Sequence, residues 1–100
     1  MLRSEAAYQA RLIKRLKQVF PGCFVMKPDP EEYQGIPDLL ILFGSHWSAL
    51  EVKLSRTARV QANQKHYIEL FNEMSYASFI CPENEDQVIK ELELAFGLEW

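Results

Sequence analysis

The sequence predicts an α/β sandwich with three helices packed on a mixed four-stranded sheet. Two observations lead there. Three separated segments repeat apolar residues at helical spacing, and four short apolar runs bounded by turn residues lie between them. In chain order the elements run helix, three strands, helix, strand, helix. A chain of 100 residues is expected to form a single domain over residues 1–100, because two separate cores would be too small to hold together.

The first helix is expected from Ser4 to Phe20, with Ser4 as N-cap and Ala6, Gln9, Leu12, Ile13, Leu16, Val19 and Phe20 facing inward. Pro21-Gly22 ends it. Cys23 to Lys27 reads as a short strand stopped by Pro28-Asp29-Pro30, and Glu31 to Gly35 as a polar loop. A second strand from Pro37 to Phe43 is apolar on both faces, which suits a central position in a sheet. Gly44-Ser45 fits a tight type II′ turn into a third strand, His46 to Leu54. A second helix is expected from Thr57 or Ala58 to about Met74, with Val60, Gln64, Tyr67, Ile68 and Phe71 on one side. Tyr76 to Cys81 forms the fourth strand. Pro82 and Asn84 introduce a last helix, Glu85 to Phe96, facing inward with Val88, Ile89, Leu92 and Phe96.

Composition narrows the function classes. With 48% hydrophobic and 25% charged residues the chain resembles an ordinary globular protein rather than a disordered one. No apolar run approaches the roughly 20 residues of a membrane span, and the charged N-terminus has no signal-peptide core, so a cytoplasmic protein is expected. Cys23 and Cys81 lack metal-site spacing and read as reduced, buried thiols. The net charge of −3 hides an uneven distribution: residues 1–20 balance at +4 and residues 51–66 at +3, against −7 over residues 67–100. Such local patches, more than net charge, decide whether phosphates are attracted; equally, they are what solvated helix faces look like.

The informative stretch is Gly35-Ile36-Pro37-Asp38, followed after one hairpin turn by Glu51-Val52-Lys53. Alternate side chains of a strand share a face, so Glu51 and Lys53 point one way and Leu50, Val52 and Leu54 the other. If Gly44-Ser45 are the turn, Phe43 pairs with His46 and Asp38 falls opposite Glu51, about 5 Å away on the same face. Two carboxylates side by side repel unless a cation lies between them. Lys53 can supply part of that charge, and an oxygen-liganded divalent metal supplies more, with the Val52 carbonyl as a further oxygen. A metal at such a site stabilises charge on a scissile phosphate, and Lys53 can orient or deprotonate a water or neutralise the transition state.

Two more residues fit this pattern. Gln64 stands among apolar residues of the second helix, where an amide wants a polar partner; it either reaches the site or sits at an edge with its amide in solvent. Glu5 borders the inward stripe of the first helix. It either binds metal, directly or through water, or serves the helix N-terminus.

Gly35-Ile36-Pro37-Asp38, Glu51-Val52-Lys53 and Gln64 together resemble the PD-(D/E)XK nuclease superfamily and, within it, the virus-type replication-repair nuclease (VRR-NUC) family. The likeness covers nearly the whole chain. It implies a restriction-endonuclease-like αβββαβα fold and a Mg²⁺- or Mn²⁺-dependent phosphodiesterase. Asp38, Glu51 and the Val52 carbonyl would be ligands, Lys53 catalytic, Gln64 supporting and Glu5 an auxiliary ligand. The implied substrate is DNA, with branched forms such as junctions or flaps in view, cut by an endonuclease in a bacterial or phage-infected cell. With no accessory DNA-binding domain in the chain, a homodimer is expected. The apolar tail from Leu92, with Leu98 and Trp100, either supplies its interface or caps the monomer's own core. The loop Leu54 to Val60 departs from the family's frequent Gly and Pro. There Arg56 and Arg59, with Lys27 elsewhere, are either phosphate contacts or solvated surface.

The rival from another class is a non-catalytic nucleic-acid-binding module on the same scaffold. Such degenerate forms lose an acid or the lysine, and here all three remain. An interaction protein with incidental carboxylates would leave the Asp–Glu–Lys convergence unexplained, and neither histidine falls in an evident triad.

Overall fold

The computed structural model describes residues 4–98. Its elements are α1 (Glu5–Val19), β1 (Phe24–Met26), β2 (Leu39–Phe43), β3 (His46–Val52), α2 (Ala62–Met74), β4 (Tyr76–Ile80) and α3 (Glu85–Ala95). This is the expected αβββαβα order. The strands lie side by side as β1-β2-β3-β4; the first three are antiparallel and β4 joins β3 in parallel. A parallel neighbour cannot follow from a tight turn, and α2 supplies the crossover.

The hairpin between β2 and β3 has the expected register, Phe43 opposite His46 through Leu39 opposite Leu50. Gly44 has φ +60°, and among the described residues no non-glycine has positive φ. A type I′ turn would require positive φ at Ser45 as well, so the turn is of the II′ kind.

Side-chain alternation divides the sheet into two faces. Leu39, Ile41, Leu50, Val52 and Ile80 meet Leu12, Leu16 and Phe20 of the α1 segment and Val88, Ile89 and Leu92 of α3 in the main core. Each such leucine or isoleucine contributes about 1.5–3 kcal/mol by leaving water. On the opposite face Ala49 and Ala77 are covered by Ile68 of α2, with Trp47, Phe71 and Phe79 around them. That second layer is smaller. It leaves Phe24, Met26 and Leu42 of β1 and β2 exposed, although β2 has the central position in the sheet that its sequence suggested.

Ser4 caps α1 as expected, its hydroxyl accepting from the Ala7 amide. The inward stripe, however, is Tyr8, Leu12, Leu16 and Phe20, while Ala6 is exposed. Tyr8 escaped the sequence reading because its hydroxyl has a buried partner. It donates to Glu85 at 2.7 Å, and Arg15 donates to the other oxygen of the same carboxylate and to Asp86. The pair ties the middle of α1 to the first turn of α3. It also takes up one of the positive charges that had suggested a basic face. Burial, then the hydrogen bond to Glu85, push the Tyr8 hydroxyl well up, so it stays a donor.

α2 starts later than expected, at Ala62 rather than Thr57 or Ala58, and Val60 lies outside it, exposed. The reason is a competing donor. In a helix from Ala58 the Arg59 carbonyl would receive the Asn63 amide. In the structure that carbonyl accepts from the Lys53 ammonium at 3.0 Å. At the other end Leu92 and Phe96 are buried and Leu98 packs against the main core; Trp100 lies outside the described residues. Both cysteines are free thiols.

Replacing Tyr8 with Phe keeps the ring and strands half of a buried carboxylate. The expected loss is about 1–3 kcal/mol, a fall of several degrees in Tm by thermal unfolding.

Candidate active site

The β2–β3 register brings Asp38 to Glu51. Asp38 immediately precedes β2, one step beyond the Leu39–Leu50 pair. Its carboxylate accepts from the Val52 amide at 2.9 Å, which continues the ladder by one side-chain bond. In an extended strand a residue's carbonyl points to the same side as its amide. The Val52 carbonyl therefore faces the Asp38 side, where it was expected as a ligand.

Glu51 is 3% exposed, on the α2 face of β3. Gln64, in the first turn of α2, donates to its carboxylate at 3.0 Å. The Gln64 oxygen accepts from Lys53 Nζ at 2.8 Å and from the Gln61 backbone N–H at 3.1 Å. Both of those partners can only donate here, so the amide has one orientation that satisfies every group. Of the two positions open to Gln64 in the sequence, the structure has the inward one. Lys53 lies 3.7 Å from Glu51 as an ion pair, its other protons held by Gln64 and the Arg59 carbonyl.

The electrostatics follow from this crowding. Burial, then the charge of Asp38, raise the Glu51 carboxyl to about 8, against the opposing pull of Lys53. A hydrogen bond with Asp38 and the field of Glu5 push the same way. At neutral pH the metal-free carboxyl pair thus keeps a proton. A divalent cation fits where that proton sits, because carboxylate oxygens and a backbone carbonyl are the donors it favours. Among the described residues no three His, Cys, Asp or Glu side chains converge as a metal cluster. Glu5, exposed in the first turn of α1, is near enough to be felt by Glu51 without completing such a group.

The structure does not bring the three remaining candidates into contact with this centre through their side chains. Arg56 and Arg59 are exposed on the loop between β3 and α2, and Lys27 is exposed just after β1. The Arg56 amide donates to Glu83, which fastens this loop to the one before α3 and holds the Glu83 carboxyl below its usual range. The sequence reading missed the packing of Gly35. Its φ is +88°, and an added Cβ would fall 2.6 Å from Asn63 Cγ and 2.9 Å from the Asn63 backbone carbon. The loop before Asp38 therefore rests directly on the first turn of α2. The signal for it was the glycine two residues before the Pro-Asp pair.

No family model matches the chain, and no curated protein matches it. Among solved structures, a chain described as "VRR_NUC domain protein" superposes with a TM-score of 0.67. The match covers 98% of this chain and 92% of that one, at 20% identity. At that identity the likeness shows the fold alone: this chain has the architecture of that VRR_NUC domain. Among the described residues no helix is long and apolar enough to cross a membrane.

Glu51 sets a pH dependence. Its folded carboxyl titrates near 8 and its unfolded one near 4.5, so between those values the folded state binds the extra proton. Stability in EDTA should therefore fall as pH rises through this window and level off above it. Glu51→Gln should flatten that slope and raise Tm at pH 8 to 9, as read by thermal unfolding. A second substitution, Gly35→Ala, should lower Tm by several degrees at every pH, since the strain and overlap at that position do not titrate.

Proposed function

We propose that this chain is a metal-dependent DNA endonuclease, hydrolysing phosphodiester bonds at the centre formed by Asp38, Glu51 and Lys53. The observation that carries the reading is the pairing of half-buried Asp38 with buried Glu51, with Glu51 raised to about 8 and bracketed by Lys53 and Gln64. A chain using these groups only for stability gains little from setting a second carboxyl beside a buried one. A chain that holds a cation there gains a use for both.

Asp38, Glu51 and the Val52 carbonyl are the proposed ligands of Mg²⁺ or Mn²⁺, with Glu5 contributing through water. When bound, the ion supplies positive charge to a phosphate oxygen and to an attacking water. Lys53 presents its ammonium beside the same carboxylate, where it orients the nucleophile and offsets the charge that builds on the phosphate. Gln64 is a positioning residue: it fixes Lys53 and Glu51 relative to one another through a single amide. The side chains of Lys27, Arg56 and Arg59, all exposed, are proposed to meet backbone phosphates. Branched DNA, a junction or a flap, is the proposed substrate. A homodimer would set two sites against two strands.

Labelled linear duplex, flap and four-way junction are incubated with Mg²⁺, Mn²⁺ or EDTA. Cutting is expected with metal only, and about 100-fold slower or worse in Lys53→Ala. DNA bound but never cut would make the chain a non-catalytic binding module. In the absence of DNA, saturating Mg²⁺ or Mn²⁺ should raise the Tm of the wild type and leave that of Asp38→Asn unchanged.

A further inference from the structure

On the α2 face of the sheet, beside the carboxylates, lies a groove of about 570 Å³. Its floor is Leu40, Leu42 and Ala49, and aromatic rings of Tyr33, Trp47 and Phe71 wall it. Trp47 and Phe71 meet edge to face with centroids 6.0 Å apart. Among the described residues two charged side chains line it, Asp29 and Glu32, both exposed acids.

The groove adjoins the proposed centre, although Asp38, Glu51, Lys53 and Gln64 do not themselves line it. Ala49 precedes Glu51 by two residues on the same strand and face, a separation of about 7 Å. Pro37, another lining residue, is bonded to Asp38. Across the way, Phe71 follows Gln64 by seven residues on α2, which puts both on one side of the helix about 10 Å apart. Sheet and helix therefore carry the polar centre at one end and the aromatic walls at the other.

We propose that this groove receives an unstacked nucleobase of the strand whose phosphate lies at Asp38 and Glu51. The inference rests on the nuclease reading for that phosphate, and the groove's own chemistry selects the base. Every base has an apolar π-face that stacks on Trp, Tyr or Phe, and a polar edge. Amino groups on that edge are donors, and the Asp29 and Glu32 carboxylates are acceptors. A phosphate at the groove would meet those two acids and no paired cation, so the backbone is kept on the Lys53 side. A second copy of the chain fits less well. A two-fold contact here would bring Asp29 and Glu32 of both copies together, two acids a side with no cation lining the groove. The proposal makes the enzyme selective for DNA with an unpaired nucleotide next to the cut, since a base inside intact duplex cannot enter.

Trp47 reports on this directly. In the 100-residue chain carrying Trp100→Phe it is the remaining tryptophan, and EDTA keeps the DNA intact. Its fluorescence is titrated with a short single-stranded deoxycytidine oligonucleotide, whose bases carry an amino group, and with a tetrahydrofuran oligonucleotide of the same length and charge that has no bases. The base-bearing strand should quench Trp47 and bind about 5- to 100-fold more tightly than the abasic one. Leu42→Asp, at a surface-exposed floor position, should erase that difference while Tm stays within a few degrees of the parent. Equal affinity for the two strands, or no quenching, overturns the proposal. So does a Leu42→Asp variant whose only change is a halved mass in sedimentation, which would show a second copy covering the groove. Cleavage of flap DNA by the same preparation with Mg²⁺ or Mn²⁺ is read separately. Base-dependent quenching without cleavage supports the groove and counts against the nuclease reading; cleavage without base dependence does the reverse.

Discussion

The register of one hairpin governs everything at the candidate centre. Gly44 closes the turn, Phe43 pairs with His46, and each later pair follows until Asp38 stands against the Val52 amide beside Glu51. A slip of a single residue would send Glu51 into the main core and Leu50 out to α2. That slip is blocked by burial: Leu39, Ile41, Leu50 and Val52 are all completely buried on the core side. The hydrophobic core thus sets the separation of two acids with which it shares no side chain.

Bringing those acids together has an electrostatic cost, and the neighbourhood is arranged around it. Lys53 is too far for a close hydrogen bond to Glu51 and relieves the pair only in part. Gln64 completes the arrangement by accepting from the lysine and donating to the carboxylate. For that it must lie in the first turn of α2, with the preceding loop free to lend the Arg59 carbonyl. The delayed start of α2 and the bare packing of Gly35 on Asn63 are both consequences of setting this helix end close to the sheet.

Much of this was legible in the sequence. Element order, the II′ turn, the Ser4 cap, the α3 stripe and the Asp38–Glu51 pairing each follow from local spacing, where one residue type in one position has one good conformation. What was not legible depends on partners distant in the chain. Tyr8 reads as a polar aromatic until Glu85 arrives from 77 residues away. Ala58 to Gln61 look helical because nothing nearby reveals that Lys53 will claim a carbonyl. The open face over β1 and β2 was hidden for a related reason. Strand periodicity reports that Phe24, Met26, Leu40 and Leu42 are apolar; it does not say that α2 covers only the β3–β4 half.

The parallel placement of β4 has a kinetic implication. The β2–β3 hairpin needs only a two-residue turn, whereas β4 and α2 must close a long crossover before either is rewarded. The two acids therefore belong to the quickly formed part of the chain, and the amide that reconciles them to the later part. Until α2 docks, their repulsion acts against the hairpin that brings them together. A fluctuation that lifts α2 returns the molecule to that condition, so the helix and the acid pair are stabilised or loosened together.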